Sequence, residues 1–196
     1  MRLIPCAALA LMLAPQTGAA QNYAAGESAY QSGDYSAAMD EWRPLAEQGN
    51  VTAQLQIGWL YDNGKGVTRD QVEAARWYRL AAEQGHEIGQ FNTGLMYEKG
   101  LGVRQDHAEA TRWYRLAAEQ GHKSAQFNLG VMYYGGKGVT KDYTTAYIWF
   151  SIAATNGVNG AVRARDIVQR RMSPSDLSRA KGRVRECIEA DFQNCG

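Results

Sequence analysis

Between residues 50 and 157 the chain alternates apolar stripes with polar faces on two nested periods. Within each segment the apolar positions return every three or four residues, the spacing of one face of an α-helix. Gln54, Ile57, Gly58 and Tyr61 form one such stripe, and Ala74, Trp77, Tyr78, Ala81 and Ala82 form the next. The whole pattern then returns every 36 residues. Trp77, Trp113 and Trp149 stand at that spacing, as do Gly58, Gly94 and Gly130, and Tyr61, Tyr97 and Tyr133. A fixed period of roughly 20–50 residues marks a stacked repeat protein whose units pack mainly on their neighbours.

Each unit reads as helix, glycine loop, helix. In the unit 50–85 the spacing predicts a first helix from about Thr52 to Asp62. The loops NGKGV (63–67), KGLGV (99–103) and GGKGV (135–139) supply glycines for the left-handed conformation that ends a helix. Asp70, Asp106 and Asp142 read as N-caps of the second helices, and Glu73 and Glu109, three positions on, predict a capping box in two of the three units. Gly85, Gly121 and Gly157 end those helices. Glycine inside a helix costs about 1 kcal/mol relative to alanine. Its return at 58, 94 and 130 therefore predicts a neighbouring helix too close for a side chain. Arg76, Arg79 and Glu83 fall on the outward face.

The flanks are less regular. Asp34, Ala38, Ala46 and Gly49 each lie 36 before Asp70, Ala74, Ala82 and Gly85, which makes 21–49 a divergent first repeat. Its first helix is expected over about 22–32, and Pro44 is expected to kink its second. The units 50–85, 86–121 and 122–157 follow. Residues 158–196 form a C-terminal helical cap, with one helix from about Asn159 to Arg171. Ser173 and Pro174 start a last one, running to about Ala190. Leu177, Ala180, Val184 and Ile188 give that helix its apolar face.

Residues 1–20 have the pattern of a signal peptide: Arg2, an apolar run from Leu3 to Ala14, then small residues at Gly18 and Ala20. Cleavage is expected between Ala20 and Gln21, giving a periplasmic or secreted protein. Most of the apolar run follows Cys6 instead of preceding it, which does not suit a lipoprotein anchor. No later segment approaches the apolar length of a transmembrane segment. Cys187 and Cys195 remain after cleavage, an even pair in an exported chain and so a candidate disulfide, the alternative being two free thiols.

The segment AQFNLGVMYYGGKGV at 125–139, with Asp142, Ala146, Ala153, Ala154 and Gly157 at their spacings, resembles the Sel-one-like repeat. That repeat is a longer-looped relative of the tetratricopeptide repeat. The resemblance covers three full units, 50–157, and implies an all-α fold: a right-handed α/α superhelix, a TPR-like solenoid whose first helices line the concave face. It also implies a non-catalytic adaptor that binds a protein or peptide partner, in bacteria often in the cell envelope. The resemblance also covers a minority of members, usually rich in regularly repeated cysteines, assigned penicillin-binding or β-lactamase activity. This chain lacks those cysteines.

Net charge is +1 at pH 7, with acids and bases interspersed, which argues against a general nucleic-acid partner. GGKGVTK at 135–141 departs from a phosphate-binding loop, since Gly138 follows Lys137 and Val131 stands where the first glycine belongs. His86 and Glu87 begin a zinc-type string that Gln90 breaks, and no cofactor or metal pattern is present. Ser178 and Lys181 fit S-x-x-K, without the companion motifs of serine–lysine enzymes. Nothing here supports catalysis.

The face of the first helices opposite the core stripe carries Gln56 and Trp59, then Asn92 and Leu95, then Asn128 and Val131. By the resemblance, this face lines a peptide-binding groove in which residues matching Asn92 and Asn128 bond the ligand backbone. Trp59 is either an anchor in that groove or a packing residue beneath the divergent first unit. The cap is basic, with Arg163, Arg165, Arg170, Arg171, Arg179, Lys181, Arg183 and Arg185. It is either a surface for an acidic partner, anionic lipid or peptidoglycan, or the solvated face of two amphipathic helices.

Overall fold

Helix starts in the repeats are set by side chains that accept from the free N–H groups of the first turn. In the computed structural model, which describes residues 17–192 and Cys195 with side chains from Tyr23 onward, ten helices follow one another and no strand occurs among the described residues. The first unit is α1 (Thr17–Ser32) and α2 (Tyr35–Glu47). Three full units follow: α3 (Val51–Asn63) with α4 (Gln71–Glu83), α5 (Glu87–Lys99) with α6 (His107–Glu119), and α7 (Lys123–Gly135) with α8 (Tyr143–Thr155). The cap is α9 (Ala161–Gln169) and α10 (Pro174–Glu189). Each helix from α1 to α8 packs on the next, and α10 folds back onto α8. The architecture is an all-α solenoid. Most of the expected signal peptide, through residue 16 and including Cys6, lies outside the described residues. Helix α1 starts at Thr17, ahead of the expected start near residue 22, and its first tertiary hydrogen bond is accepted by Tyr23 O from Trp42 Nε1.

Asp70, Asp106 and Asp142 do cap α4, α6 and α8. The expected capping boxes do not close. The N–H groups of the three aspartates donate instead to Tyr61 O, Tyr97 O and Tyr133 O at the ends of the preceding helices. Glu73 and Glu109 are thereby released to pair with Arg76 and Arg112 one turn on. Helix α2 runs through Pro44 to Glu47. Gly64, Gly100 and Gly136 end the first helices in the left-handed region, φ 64°, 69° and 68°.

The repeated glycines inside the first helices explain the helix spacing. A Cβ on Gly58, Gly94 or Gly130 would stand 2.9, 2.7 or 2.8 Å from the ring of Tyr78, Tyr114 or Phe150. One aromatic ring of each second helix thus lies flat on the first helix of its own unit. Trp77, Trp113 and Trp149 fill the wall between units, and none of their indole N–H groups has a hydrogen-bond partner. Their contribution is apolar volume.

In the cap, Ser173 accepts from Asp176 N and Pro174 begins α10, as the sequence predicts. Ala180 and Cys187 are buried, and Leu177 and Val184 pack against the same core. Ile188 is a correction: it is exposed, because Cys187, one residue earlier, takes the inward position. Cys187 and Cys195 are both buried with Cα atoms 5.4 Å apart and their sulfurs at bonding distance.

Candidate functional site

Each first helix is tied to the ends of neighbouring second helices by a polar clamp at the positions 54, 90 and 126. Gln54 Nε2 donates to Ala46 O at 3.1 Å, and Gln126 Nε2 donates to Ala118 O at 3.2 Å, each reaching the end of the preceding unit. Their Oε1 atoms accept from Gln84 Nε2 and Asn156 Nδ2 at 2.8 Å, and Gln90 Oε1 accepts from Gln120 Nε2 at 2.7 Å. The three glutamines are buried. An unmade bond there would cost on the order of 1–3 kcal/mol, so the clamp fixes how adjacent units meet. Helices α5 and α7 are capped by His86 and His122, the equivalents of Asn50 at α3. The His122 ring stacks on Phe91 with centroids 4.4 Å apart, and burial lowers its pKa below the usual histidine value, partly opposed by Glu87.

This arrangement leaves an open groove of about 350 Å³ across α1, α3, α4 and α5. It contains Gln56, Trp59 and Asn92, three of the six residues that the helix geometry placed on a common face. Trp59 is half-buried and does two things at once. Its ring meets Tyr30 edge-on at 5.5 Å and Tyr35 at 6.3 Å, both in the first unit, and it also lines the groove. Leu55, Ile88, Tyr30 and Tyr78 complete an apolar floor and wall, with Ile88 43% exposed. The Tyr78 hydroxyl is held far above its ordinary pKa by burial and by Asp62, so it stays neutral. Amides at Gln56 and Asn92 flank this floor, the donor–acceptor pairing that an extended backbone uses.

The other three residues are not brought to this groove. Leu95 is half-buried outside it. Asn128 lies outside the groove, near the Tyr114 hydroxyl, which donates to Glu98 Oε2 at 2.6 Å. Val131 opens into a separate apolar cavity of about 180 Å³ with Tyr134, Phe150, Ala164, Ile167 and Val168, formed where α9 docks beside α7 and α8. Sequence reasoning missed Tyr30, Leu55, Tyr78 and Ile88. The exposed β-branched Ile88, directly after a helix start, was the available signal.

Other sequence features resolve simply. In the 135–139 loop Gly136 is the C-cap of α7 and Lys137 N donates to Met132 O. Ser178 and Lys181 lie on the exposed side of α10. In the basic cap, Arg165, Arg179 and Arg183 pair with Asp166, Asp176 and Glu186, and Arg171 lies over the Tyr134 ring.

Three consecutive segments, 51–86, 88–122 and 123–158, match the model of the Sel1 repeat. The chain belongs to the Sel1 repeat family. Repeats of this family typically serve as protein–protein interaction modules. The fold is similar to that of a Sel1 repeat protein from Oxalobacter formigenes, at 40% identity and TM-score 0.70, covering 74% of this chain and 60% of that one. It is similar also to c5321, a protective antigen present in uropathogenic Escherichia coli strains displaying an SLR fold. There the identity is 28% and the TM-score 0.62, over 92% of this chain and 48% of that one. The chain thus spans less than two thirds of either protein. Cysteine rich protein B of Helicobacter pylori shares the fold alone, at 23% identity and TM-score 0.50, over 70% of this chain and 92% of that one. No curated protein sequence matches the chain. Among the described residues no helix is long and apolar enough to cross a membrane.

Proposed function

We propose that this Sel1 repeat chain is an exported, non-catalytic adaptor of the bacterial cell envelope that grips an extended peptide segment of a partner protein. The observation that carries this reading is the groove over α3 and α5, where Gln56 and Asn92 flank an apolar floor containing Trp59. Large aromatics bordered by polar groups are the usual anchors of protein interfaces. Asn128 is outside the contact set, since it does not line this groove. Export is supported by the N-terminal sequence pattern and by the Cys187–Cys195 pair, because such bonds persist in oxidising compartments.

Immobilised protein should capture its partner from an envelope extract, and the triple variant Gln56→Ala, Trp59→Ala, Asn92→Ala should lose that partner with helical content kept. Retention of the partner by the triple variant would place the interaction elsewhere. The competing reading, an enzyme acting on β-lactams or peptidoglycan, is tested with nitrocefin. Turnover abolished by Ser178→Ala would overturn the adaptor assignment.

A further inference from the structure

A second cavity of about 250 Å³ lies between α4 and α5 and shares no lining residue with the groove. Its origin is a local departure from the repeat. In the units on either side, an arginine of the second helix donates to a tyrosine hydroxyl of the following first helix. Arg43 Nη2 reaches Tyr61 at 2.9 Å, and Arg115 reaches Tyr133. The equivalent pair between them is Arg79 and Tyr97, and here Arg79 turns instead toward Glu83, with Nε 3.6 Å from Oε1. Both Arg79 and Tyr97 line the cavity.

Two smaller side chains make the space. Thr93 stands where the other units have Ile57 and Leu129, and Ala75 stands where they have Met39, Thr111 and Tyr147. Thr93 is only 2% exposed, and its Oγ1 has no hydrogen-bond partner. Burying an unpaired hydroxyl is unfavourable, and the flanking units bury hydrocarbon at the same position. A polar group at this point of the wall leaves a hydroxyl bordering the cavity with no partner among the described residues. Met96, Val103 and Val72 supply apolar contact, Val72 being 63% exposed at the rim. Arg76 and Arg79 stand at the mouth, each in an exposed ion pair, to Glu73 and Glu83 at 3.6 Å, and Arg76 also lies over the Trp77 ring at 4.5 Å.

We propose that this cavity binds a carboxylate borne on a short aliphatic group. The planar guanidinium of Arg79 pairs with the carboxylate, displacing its single contact with Glu83, because a bidentate guanidinium–carboxylate pair is the stronger arrangement. The Tyr97 and Thr93 hydroxyls donate to it, and the aliphatic tail packs on Met96, Val72 and Val103. The volume suits a branched acid of a few heavy atoms, and the apolar walls disfavour a fully hydrated anion such as phosphate. Two sources carry this chemistry: a free short-chain acid, or the C-terminal residue of a peptide.

Methyl NMR at Met96 tests the site by titrating the purified protein with isovalerate, isovaleramide, acetyl-Ala-Val and acetyl-Ala-Val amide. Saturable shifts are expected with at least one acid, and at least about ten-fold weaker response to its amide. Isovalerate alone binding identifies a free acid, and the peptide binding more tightly identifies a C-terminus. Thr93→Ile, which installs the residue of a flanking unit, should abolish the shifts while holding or raising Tm. Arg79→Gln should weaken them about ten-fold or more. No saturable shift with either acid up to about 10 mM, equal shifts from acid and amide, or unchanged affinity in folded Thr93→Ile would each overturn the assignment.

Discussion

Neighbouring positions in the first helices have opposite fates. At 58, 94 and 130 all three units carry glycine, and each glycine lies against the ring of its own second helix. One residue further on, at 59, 95 and 131, they carry Trp, Leu and Val. Trp59 meets Tyr30, Tyr35 and the groove, Leu95 lies outside it, and Val131 meets the cap at a separate cavity. Positions where the units agree build the wall between helices, which every unit needs in the same form. Positions where they disagree face surroundings that differ along the stack. Agreement therefore tracks the shared wall, and disagreement marks where the proposed partner specificity is to be tested.

The largest effect should follow from removing a wall residue. Trp149 is fully buried, and Trp149→Ala should cost about 3–5 kcal/mol, read by urea unfolding. A variant as stable as the parent would mean that the wall is not where the stability lies. Gly94→Ala comes next. Alanine favours the helix, yet its Cβ would press on the buried Tyr114 ring, 2.7 Å away, and on Ala110 O at 3.3 Å. A net loss of about 1–3 kcal/mol is expected in thermal unfolding. A gain would show that the ring moves aside and that the glycine is not required. Trp59→Leu should cost less, about 0.5–1.5 kcal/mol, since it gives up two ring contacts at a half-buried position.

The smallest effect is electrostatic. Neutral His122 caps α7 through Nδ1, which accepts from Ala125 N, and protonation removes that acceptor and places a positive charge at a helix N-terminus. Its folded pKa lies below the unfolded value, so the unfolded chain binds the proton more readily. Stability from this group is complete above the unfolded pKa near 6.5 and falls as pH drops toward the folded value. His122→Asn restores the residue type found at Asn50 and should flatten the Tm-against-pH curve between about pH 7 and 5. An unchanged slope would assign the pH dependence to other groups.

The sequence carried the wall well and the surfaces poorly. Helix order, the aspartate caps, the left-handed C-caps and the crowded glycines were all legible, because each depends on local spacing or on one repeated contact. The glutamine clamp was visible only as recurrence at 54, 90 and 126, since its side-chain partners lie 30 residues away and recurrence does not separate packing from hydrogen bonding. The capping boxes failed for a long-range reason as well: tyrosine carbonyls of the preceding helices take the aspartate N–H groups. Of the proposed binding face, a helical projection put Gln56, Trp59 and Asn92 on one side of α3 and α5, and these three line the groove. It could not show that the first unit leans its tyrosines onto Trp59, or that α9 diverts Val131 from the groove.

The comparison is tested most directly by exchanging groove residues between units while the wall is left intact. Gln56→Asn with Trp59→Leu gives α3 the residues that the next unit carries at 92 and 95. Partner affinity and Tm should be measured together on this variant and on Gln90→Ala, which cuts the clamp. The account predicts at least about ten-fold weaker binding with a small change in Tm for the exchange, and a lowered Tm with affinity kept for Gln90→Ala. Full affinity in the exchanged variant would contradict it.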